Sequence, residues 1–339
     1  MLRAVRRSLT VAAAATAVVV AVGSTAACSS SSGGSGSGGE INLIGYSVPK
    51  PAYDALEKGF QGTDKGKGVV FKASYGASGD QSRAVANGQK ADYVNFSTGP
   101  DMTRLVPSKV AEGWDSGANK GIVADTVVVI VVRKGNPKGI KGWDDLIKSG
   151  VKVVTPDPGS SGSAKWNILA GYAHGAANGG ESAGVQYVTD LYKNIVSKPE
   201  SGSKATQTFL NGTGDALISY EAEAIATRAK GQDVDYIVPS DTLEIQTPGA
   251  VTTTASQSAK DFLAYCLSDE GQKVFGENGF RPMNDVDPGE VKGANDPSKP
   301  YPSVGTLHTI DELGGWSEVN TKFFDPDNGI VTKISNGSS

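Results

Sequence analysis

The chain has 339 residues, of which 38% are hydrophobic and 20% charged, with a formal net charge of −4. That length exceeds one small core and suits two lobes, and the acidic balance argues against a nucleic-acid partner. Two cysteines and two histidines, scattered in sequence, exclude a disulfide framework and give no metal site; no cofactor is expected.

In chain order, the first feature is a leader. Arg3, Arg6 and Arg7 precede an Ala/Val run over 10–22, and small residues lead to Cys28. This is a secretory signal, 1–27, whose apolar run is shorter than the roughly 20 residues of a spanning helix. Ser24-Thr25-Ala26-Ala27-Cys28 resembles a bacterial lipobox, with Thr25 in place of the usual Leu. Cys28 is therefore the expected lipidation point, anchoring the protein to the outer face of the cell membrane. Residues 29–39 are all Ser and Gly, a flexible tether reaching about 17–20 Å. Loss of the three leader arginines takes the formal charge from −4 to −7.

Beyond the tether, short β-branched runs predict strands over 41–46, 69–74, 92–97, 126–133, 151–155, 216–220, 235–238 and 251–254. Helical patterns fall over 52–60, 82–87, 143–148, 164–177, 183–194, 205–211, 221–230, 258–268, 269–278 and 311–320. Alternating strands and helices give an α/β fold with a parallel or mixed sheet in each lobe. Cys266 lies in a helical stretch and is assigned to the core.

Ligands of open α/β sheets bind beyond the carboxyl ends of strands, so the strand-to-helix turns matter most. Four of them are rich in Ser and Gly: Tyr46 to Pro49, Ser74 to Gln81, Pro156 to Asn167 and Glu200 to Thr206. Glycine lets backbone N–H groups approach a ligand, serine adds a hydroxyl, and a helix start leaves N–H groups free. Together these make an anion site, although Ser and Gly before a helix are also what an ordinary N-cap looks like.

Several segments carry a resemblance. They are Ser74-Tyr75-Gly76-Ala77-Ser78-Gly79-Asp80-Gln81, Gly135-Asn136-Pro137-Lys138, Ser160-Ser161-Gly162-Ser163-Ala164-Lys165-Trp166-Asn167, Ser219-Tyr220-Glu221-Ala222-Glu223, Arg281-Pro282 and Gly314-Gly315-Trp316. In this order and spacing the chain resembles the sulfate- and thiosulfate-binding proteins of ABC importers. The resemblance implies a two-lobed periplasmic-binding-protein-like (type II) fold, hinged on crossover strands. One lobe would hold 40–125 plus 248–339, the other 126–247. It implies ligand contacts from Ser78 and Ser161 hydroxyls, from the N–H groups of Gly162 and Ser163, and from backbone donors near Ser47 and Ser203. Three positions depart from the family's pattern. Ser47 or Val48 stands where Asp is usual, Ser163 replaces a Gly, and Tyr220 replaces a Trp whose indole N–H reaches the anion. Tyr220 is thus either a ligand donor or a wall of the cleft. Arg83 and Lys165 are placed outside direct contact, and Trp143, Trp166 and Trp316 in packing.

The implied function is capture of sulfate, or thiosulfate, for an ABC permease by a monomeric protein that is not an enzyme. Sulfate only accepts hydrogen bonds, so a pocket of donors satisfies it. Hydrogen phosphate would leave its own proton unpaired, at about 1–3 kcal/mol. Asp80 and Asp157, flanking the turns, are the acceptors that would reverse this preference. Molybdate or phosphate is the alternative ligand. A secreted serine hydrolase is the alternative class: Ser201-Gly202-Ser203-Lys204 fits a Ser-x-x-Lys pattern, but no Lys-Thr-Gly or Gly-x-Ser-x-Gly elbow joins it, and only His174 or His308 would complete a triad. Surface display alone gives no more than a weak case for an adhesin.

Overall fold

The computed structural model describes residues 38–337. The leader, Cys28 and the tether as far as residue 37 lie outside the described residues. The first half runs β1 (Glu40–Tyr46), α1 (Lys50–Gln61), β2 (Val70–Gly76), α2 (Ser78–Ala86), β3 (Tyr93–Asn95), α3 (Gly99–Thr103), β4 (Ile122–Arg133), α4 (Trp143–Leu146), β5 (Val153–Val154) and α5 (Gly162–Asn194). Then come β6 (Ile195–Ser197), α6 (Gly202–Leu210), β7 (Ala216–Tyr220), α7 (Glu221–Ala229), β8 (Val234–Ile237), β9 (Asp241–Val251), α8 (Gln257–Leu267), α9 (Asp269–Glu277), β10 (Thr306–His308), α10 (Gly315–Phe324) and α11 (Ile330–Ser335).

The long apolar run of β4 shows why the centre is buried on both faces. Val128, Ile130 and Val132 enter one core cluster, while Val127, Val129 and Val131 enter another. Side chains of a strand alternate between faces, and a strand covered on both reads as continuous hydrophobics. In β1 the same alternation sends Ile41 and Leu43 to a third cluster and Ile44 to a fourth.

Hydrogen bonding gives the order β2-β1-β3-β9-β4-β7-β5-β6, with β8 beside β4 and β10 beside β9. β1 runs parallel to β2 and β3, and β5 is parallel to β6 and β7, whereas β4 and β9 are antiparallel to each other. The two ends of this path are α/β sheets covered by helices. β9 pairs with β3 at one end and β10 at the other, β4 pairs with β9 and then with β7 and β8, and these two strands form the crossover that joins the sheets. Two lobes result, each with a mixed sheet.

Three differences from the expected elements stand out. The helical patterns over 164–177 and 183–194 are the two arms of α5, broken at Gly179 and Gly180, the latter at φ 78°. Of the strand placed at 251–254 only Val251 is strand, the last residue of β9, which reaches back to Asp241. Pro248 and Gly249 read as strand breakers, yet Pro248 pairs with Ile122 beside an irregularity in the register. Finally, the C-terminal segment packs with the second sheet: β10 pairs with Asp241, Thr242 and Leu243, and Ile310, Val319, Phe323 and Val331 join the cluster of Val128 and Ile218.

Behind the crossover, Arg281 fastens the lobes. Its backbone N–H donates to Asp125 O at 2.8 Å. Its guanidinium grips Glu221 at the start of α7, with Nε to Oε2 at 2.7 Å and Nη2 to Oε1 at 3.1 Å. Glu221 is 0% exposed and Arg281 21%. Burial pushes the Glu221 carboxyl up, and the Arg281 charge opposes this. Arg281→Met should therefore destabilise the protein at neutral pH by about 3 kcal/mol, the low end for breaking a buried pair because Arg281 is partly solvated. With the arginine gone, the Glu221 carboxyl rises further above its unfolded value. The deficit should then grow as pH rises above the ordinary carboxylate range and shrink in acid, as urea titrations across pH would measure.

Candidate functional site

The four Ser/Gly turns meet. Ser78 opens α2, Ser161 is the N-cap of α5, Ser201 is the N-cap of α6, and Ser47 lies in the bend between β1 and α1. A Cβ on Gly202 would lie 2.8 Å from Val48 Cγ2 and 2.9 Å from Ser163 Oγ. A Cβ on Gly162 would lie 2.7 Å from Ser97 Cβ and Oγ and 2.9 Å from Thr98 Cγ2. Gly79 N–H donates to Ser160 O at 3.0 Å. The turns of the two lobes are thus in contact, and the cleft is closed. Gly162, Ser163, Ser78 and Tyr220 fall into this cluster, with Ser47 and Ser203 entering through their neighbours Val48 and Gly202.

Ser97, which sequence reasoning missed, is the meeting point. It follows β3, and its hydroxyl lies 2.7 Å from the Tyr220 hydroxyl at the end of β7. Its carbonyl accepts from Trp166 Nε1 at 2.7 Å, and its N–H donates to Ser78 Oγ at 2.9 Å. Burial holds the Tyr220 phenol well above its ordinary range, so it stays a donor. Two hydroxyls joined by one hydrogen bond spend one proton on it and keep one to offer. The same holds for Ser161 and Ser163, whose oxygens are 2.8 Å apart. The signal for Ser97 was present: Ser97-Thr98-Gly99 is a fifth small-residue turn between a strand and a helix.

Ser78 is engaged differently. Its hydroxyl donates to Asp101 Oδ2 at 2.7 Å, and the same carboxylate accepts from Thr98 Oγ1 at 3.0 Å and from Arg104 at 2.9 Å. In this closed arrangement the Ser78 proton is committed to Asp101 and the Gly79 N–H to Ser160 O, so what α2 offers a ligand is the remaining N–H groups of its first turn. The N-cap comparison is also informative. Ser201 caps α6 by accepting from Lys204 N–H at 3.3 Å, whereas Ser161 makes no side-chain cap bond. The Ser201 hydroxyl, offered as a nucleophile, is an ordinary helix cap.

Among the described residues, the basic side chains nearest the Ser97 contacts are engaged, while Lys204 of the α6 turn is exposed. Arg104 is paired with Asp101, Arg83 with Asp80, and Lys165 Nζ donates to Asn320 Oδ1 at 2.8 Å. Burial, with help from Arg104 and Arg83, holds the Lys165 ammonium below its usual range. Asp80 is exposed beside Arg83, and Asp157 accepts from Gly159 N–H in its own turn. The buried carboxyls here are Asp101 and Glu223, neither singled out from sequence. Burial pushes Glu223 up to about 7, with Thr206, Lys230 and Ser203 offsetting part of the effect, so much of it is uncharged at neutral pH. Trp143 and Trp166 are buried, and Trp166 packs edge-on against Trp316. Cys266 is buried in the core. His174 is held between Asp241 and Asp144.

Helix starts and spare hydroxyl protons together suit a small anion. Gly162→Ala should hold the lobes apart, since its methyl group meets Ser97 and Thr98 in the closed form. The expected result is ligand affinity lower by about tenfold or more, from a clash of a few kcal/mol. Small-angle scattering should also show no contraction on adding ligand.

Comparison with known proteins places the chain in a family. Residues 41–281 match the model of the bacterial extracellular solute-binding protein family. A sulfate-binding protein of Synechococcus elongatus is 37% identical over 309 residues, covering 87% of this chain and 86% of that protein. A sulfate-binding protein of a Synechocystis species is 32% identical over 87% of this chain and 86% of its own length. Among solved structures, the sulfate-binding protein SubI from Mycobacterium tuberculosis superposes with a TM-score of 0.79 at 43% identity, covering 85% of this chain and all of that one. The chain belongs to the bacterial extracellular solute-binding proteins, in the family of the sulfate- and thiosulfate-binding proteins.

Proposed function

We propose that this protein captures sulfate between its two lobes and hands it to the membrane permease of an ABC importer. The observation that carries the reading is the convergence of the starts of α2, α5 and α6 with the Ser97–Tyr220 and Ser161–Ser163 hydroxyl pairs, in a closed cleft where Arg83, Arg104 and Lys165 already have partners. The bound dianion would take hydrogen bonds from Gly162 and Ser163 N–H, from backbone donors near Ser47, Ser78 and Ser203, and from the spare proton of each hydroxyl pair. Hydrogen bonds to a charged acceptor are worth about 1.5–3 kcal/mol each. Six give about 9–18 kcal/mol before ordering and desolvation costs, against the roughly 8 kcal/mol of micromolar binding.

The lobes in this reading are 40–125 with the return from 248, and 126–247, with residues 306–337 carried on the second. The protein works as a monomer, catalyses no reaction, and is held outside the membrane by a lipid on Cys28. Among the described residues no helix is long and apolar enough to cross a membrane, so attachment in this reading rests on that lipid. Cys28→Ala should release the protein from washed cells into the medium; retention in the membrane fraction would count against the anchor.

Calorimetry of protein beginning at residue 40 tests the ligand. Sulfate should bind tightly, and phosphate at least about tenfold more weakly, the equivalent of one unpaired buried proton. Tyr220→Phe and Ser97→Ala should each weaken sulfate by about tenfold, and the double variant by little more than either, because the two hydroxyls deliver one proton between them. Phosphate preferred over sulfate would overturn the assignment.

A further inference from the structure

The two crossover strands have a second face. On the first, Leu243 and Ile245 of β9 join the cluster that holds Tyr46, Val48 and Tyr220 beneath the anion turns. The alternate residues Glu244, Gln246 and Pro248 point the other way, into a cavity of about 1290 Å³ that also takes in Asp125 of β4. The walls come from both lobes: Trp114 on one side, Trp316 and Asn320 of α10 on the other. Trp316 is braced edge-on against Trp166, with ring centroids 4.8 Å apart.

The chemistry of this cavity is opposite to that of the anion cleft. Its lining carries the carboxyls of Asp115, Asp125, Glu244 and Asp311 against the single ammonium of Lys120. Asp125 Oδ1 is completely buried and has no hydrogen-bond partner. Arg281, close by, spends its guanidinium on Glu221 and Pro302 O and gives Asp125 only a backbone N–H, to its carbonyl. That oxygen has almost no exposed surface, so a ligand N–H would meet it only once the Asp125 side chain turns further into the cavity, and the bond would then remove the cost of leaving it unpaired. Indole faces attract cations, and the space is that of a molecule rather than a metal ion. Among the described residues no group of three metal-binding side chains forms.

We propose that this cavity is a second binding site, for a small organic cation bearing amine or guanidine N–H groups, with Asp125 and Glu244 taking the charge and the Trp114 and Trp316 indoles the carbon stem. Burial first, and the Glu244 charge second, push Asp125 up to about 7. Burial also raises Glu244, with Arg281 opposing. A bound cation favours the ionised carboxylates, so binding should strengthen as pH rises through this range and should release protons. Because both lobes line the cavity as it stands with the cleft closed, a cation that fits it favours closure. Sulfate and the cation should then raise each other's affinity by one common factor.

The test is titration of the mature protein with agmatine and with spermidine, followed by calorimetry and tryptophan fluorescence at pH about 6 and about 8. Butane-1,4-diol and magnesium chloride at matched ionic strength serve as controls. The proposal expects saturable binding of at least one of the two amines with an indole response, stronger at the higher pH, and little response to either control. Asp125→Asn with Glu244→Gln should weaken the amine by about tenfold or more while leaving sulfate binding without amine and the melting temperature intact. Absence of saturable binding of either amine below about 10 mM would overturn the proposal. So would equal binding of the diol or magnesium, or an unchanged amine affinity in the double variant.

Discussion

The close approach of the α5 N-terminus to Ser97 governs the rest of the structure. Gly162 brings backbone against Ser97 and Thr98 at a distance that leaves no room for a Cβ. Only that approach lets the Trp166 indole reach the Ser97 carbonyl and the Tyr220 hydroxyl reach the Ser97 hydroxyl. The lobes therefore meet through directional polar contacts above a small apolar contact, Tyr46 edge-on against Tyr220. Such contacts add specificity at small net energy, since each replaces a bond to water. An interface of this kind can open and close on a modest input, and a dianion bound by donors from both sides supplies one.

Charge is handled locally. The protein is acidic overall, so its general field does not attract an anion. Helix starts contribute partial positive charge, and the Asp101 carboxylate, itself satisfied by Ser78, Thr98 and Arg104, ties the β3 turn to α2 so that those donors keep their aim. Asp101 is thus a scaffold for the donors although its sign opposes the ligand. Glu223 meets the same difficulty by burial, which keeps much of it neutral near pH 7. The departure at Tyr220 has a similar explanation. A phenol differs in reach from an indole N–H, and here its hydroxyl is joined to that of Ser97 at 2.7 Å.

Much of this was legible in the sequence. The β4 run of valines, the strand ending at Tyr220 and the two arms of α5 follow from periodicity and glycine placement, and the four Ser/Gly turns were readable as helix starts. β9 was not. Its residues Glu244, Gln246, Pro248 and Gly249 suppress the strand signal because β9 leaves one sheet, crosses, and enters another. Local patterns report one environment at a time, and a crossover strand samples three. Ser97 escaped because the strand read over 92–97 takes it in, whereas β3 ends at Asn95 and leaves Ser97 in the turn before α3. The duties of Ser201 and Ser161, each the first residue of a Ser-Gly-Ser turn, were separable only in three dimensions, where one caps its helix and the other turns to Ser163.

The crossover ribbon also explains why a hinged protein keeps ionisable groups where a rigid one would place hydrophobics. β4 and β9 must be covered when the lobes are together and tolerate water when they part. Thr247 shows one solution: buried, it donates to Ala124 O and binds the two strands to each other whatever the lobes do. Glu244 and Asp125 show the other, with carboxyls facing a solvent-connected cavity, where an apolar residue would glue the lobes shut. A buried ion pair such as Arg281–Glu221 adds little net stability over a hydrophobic contact. It does fix one geometry behind the hinge, while the ribbon beside it stays wet enough to bend. Closure in front and freedom behind are thus set by alternate residues of the same two strands.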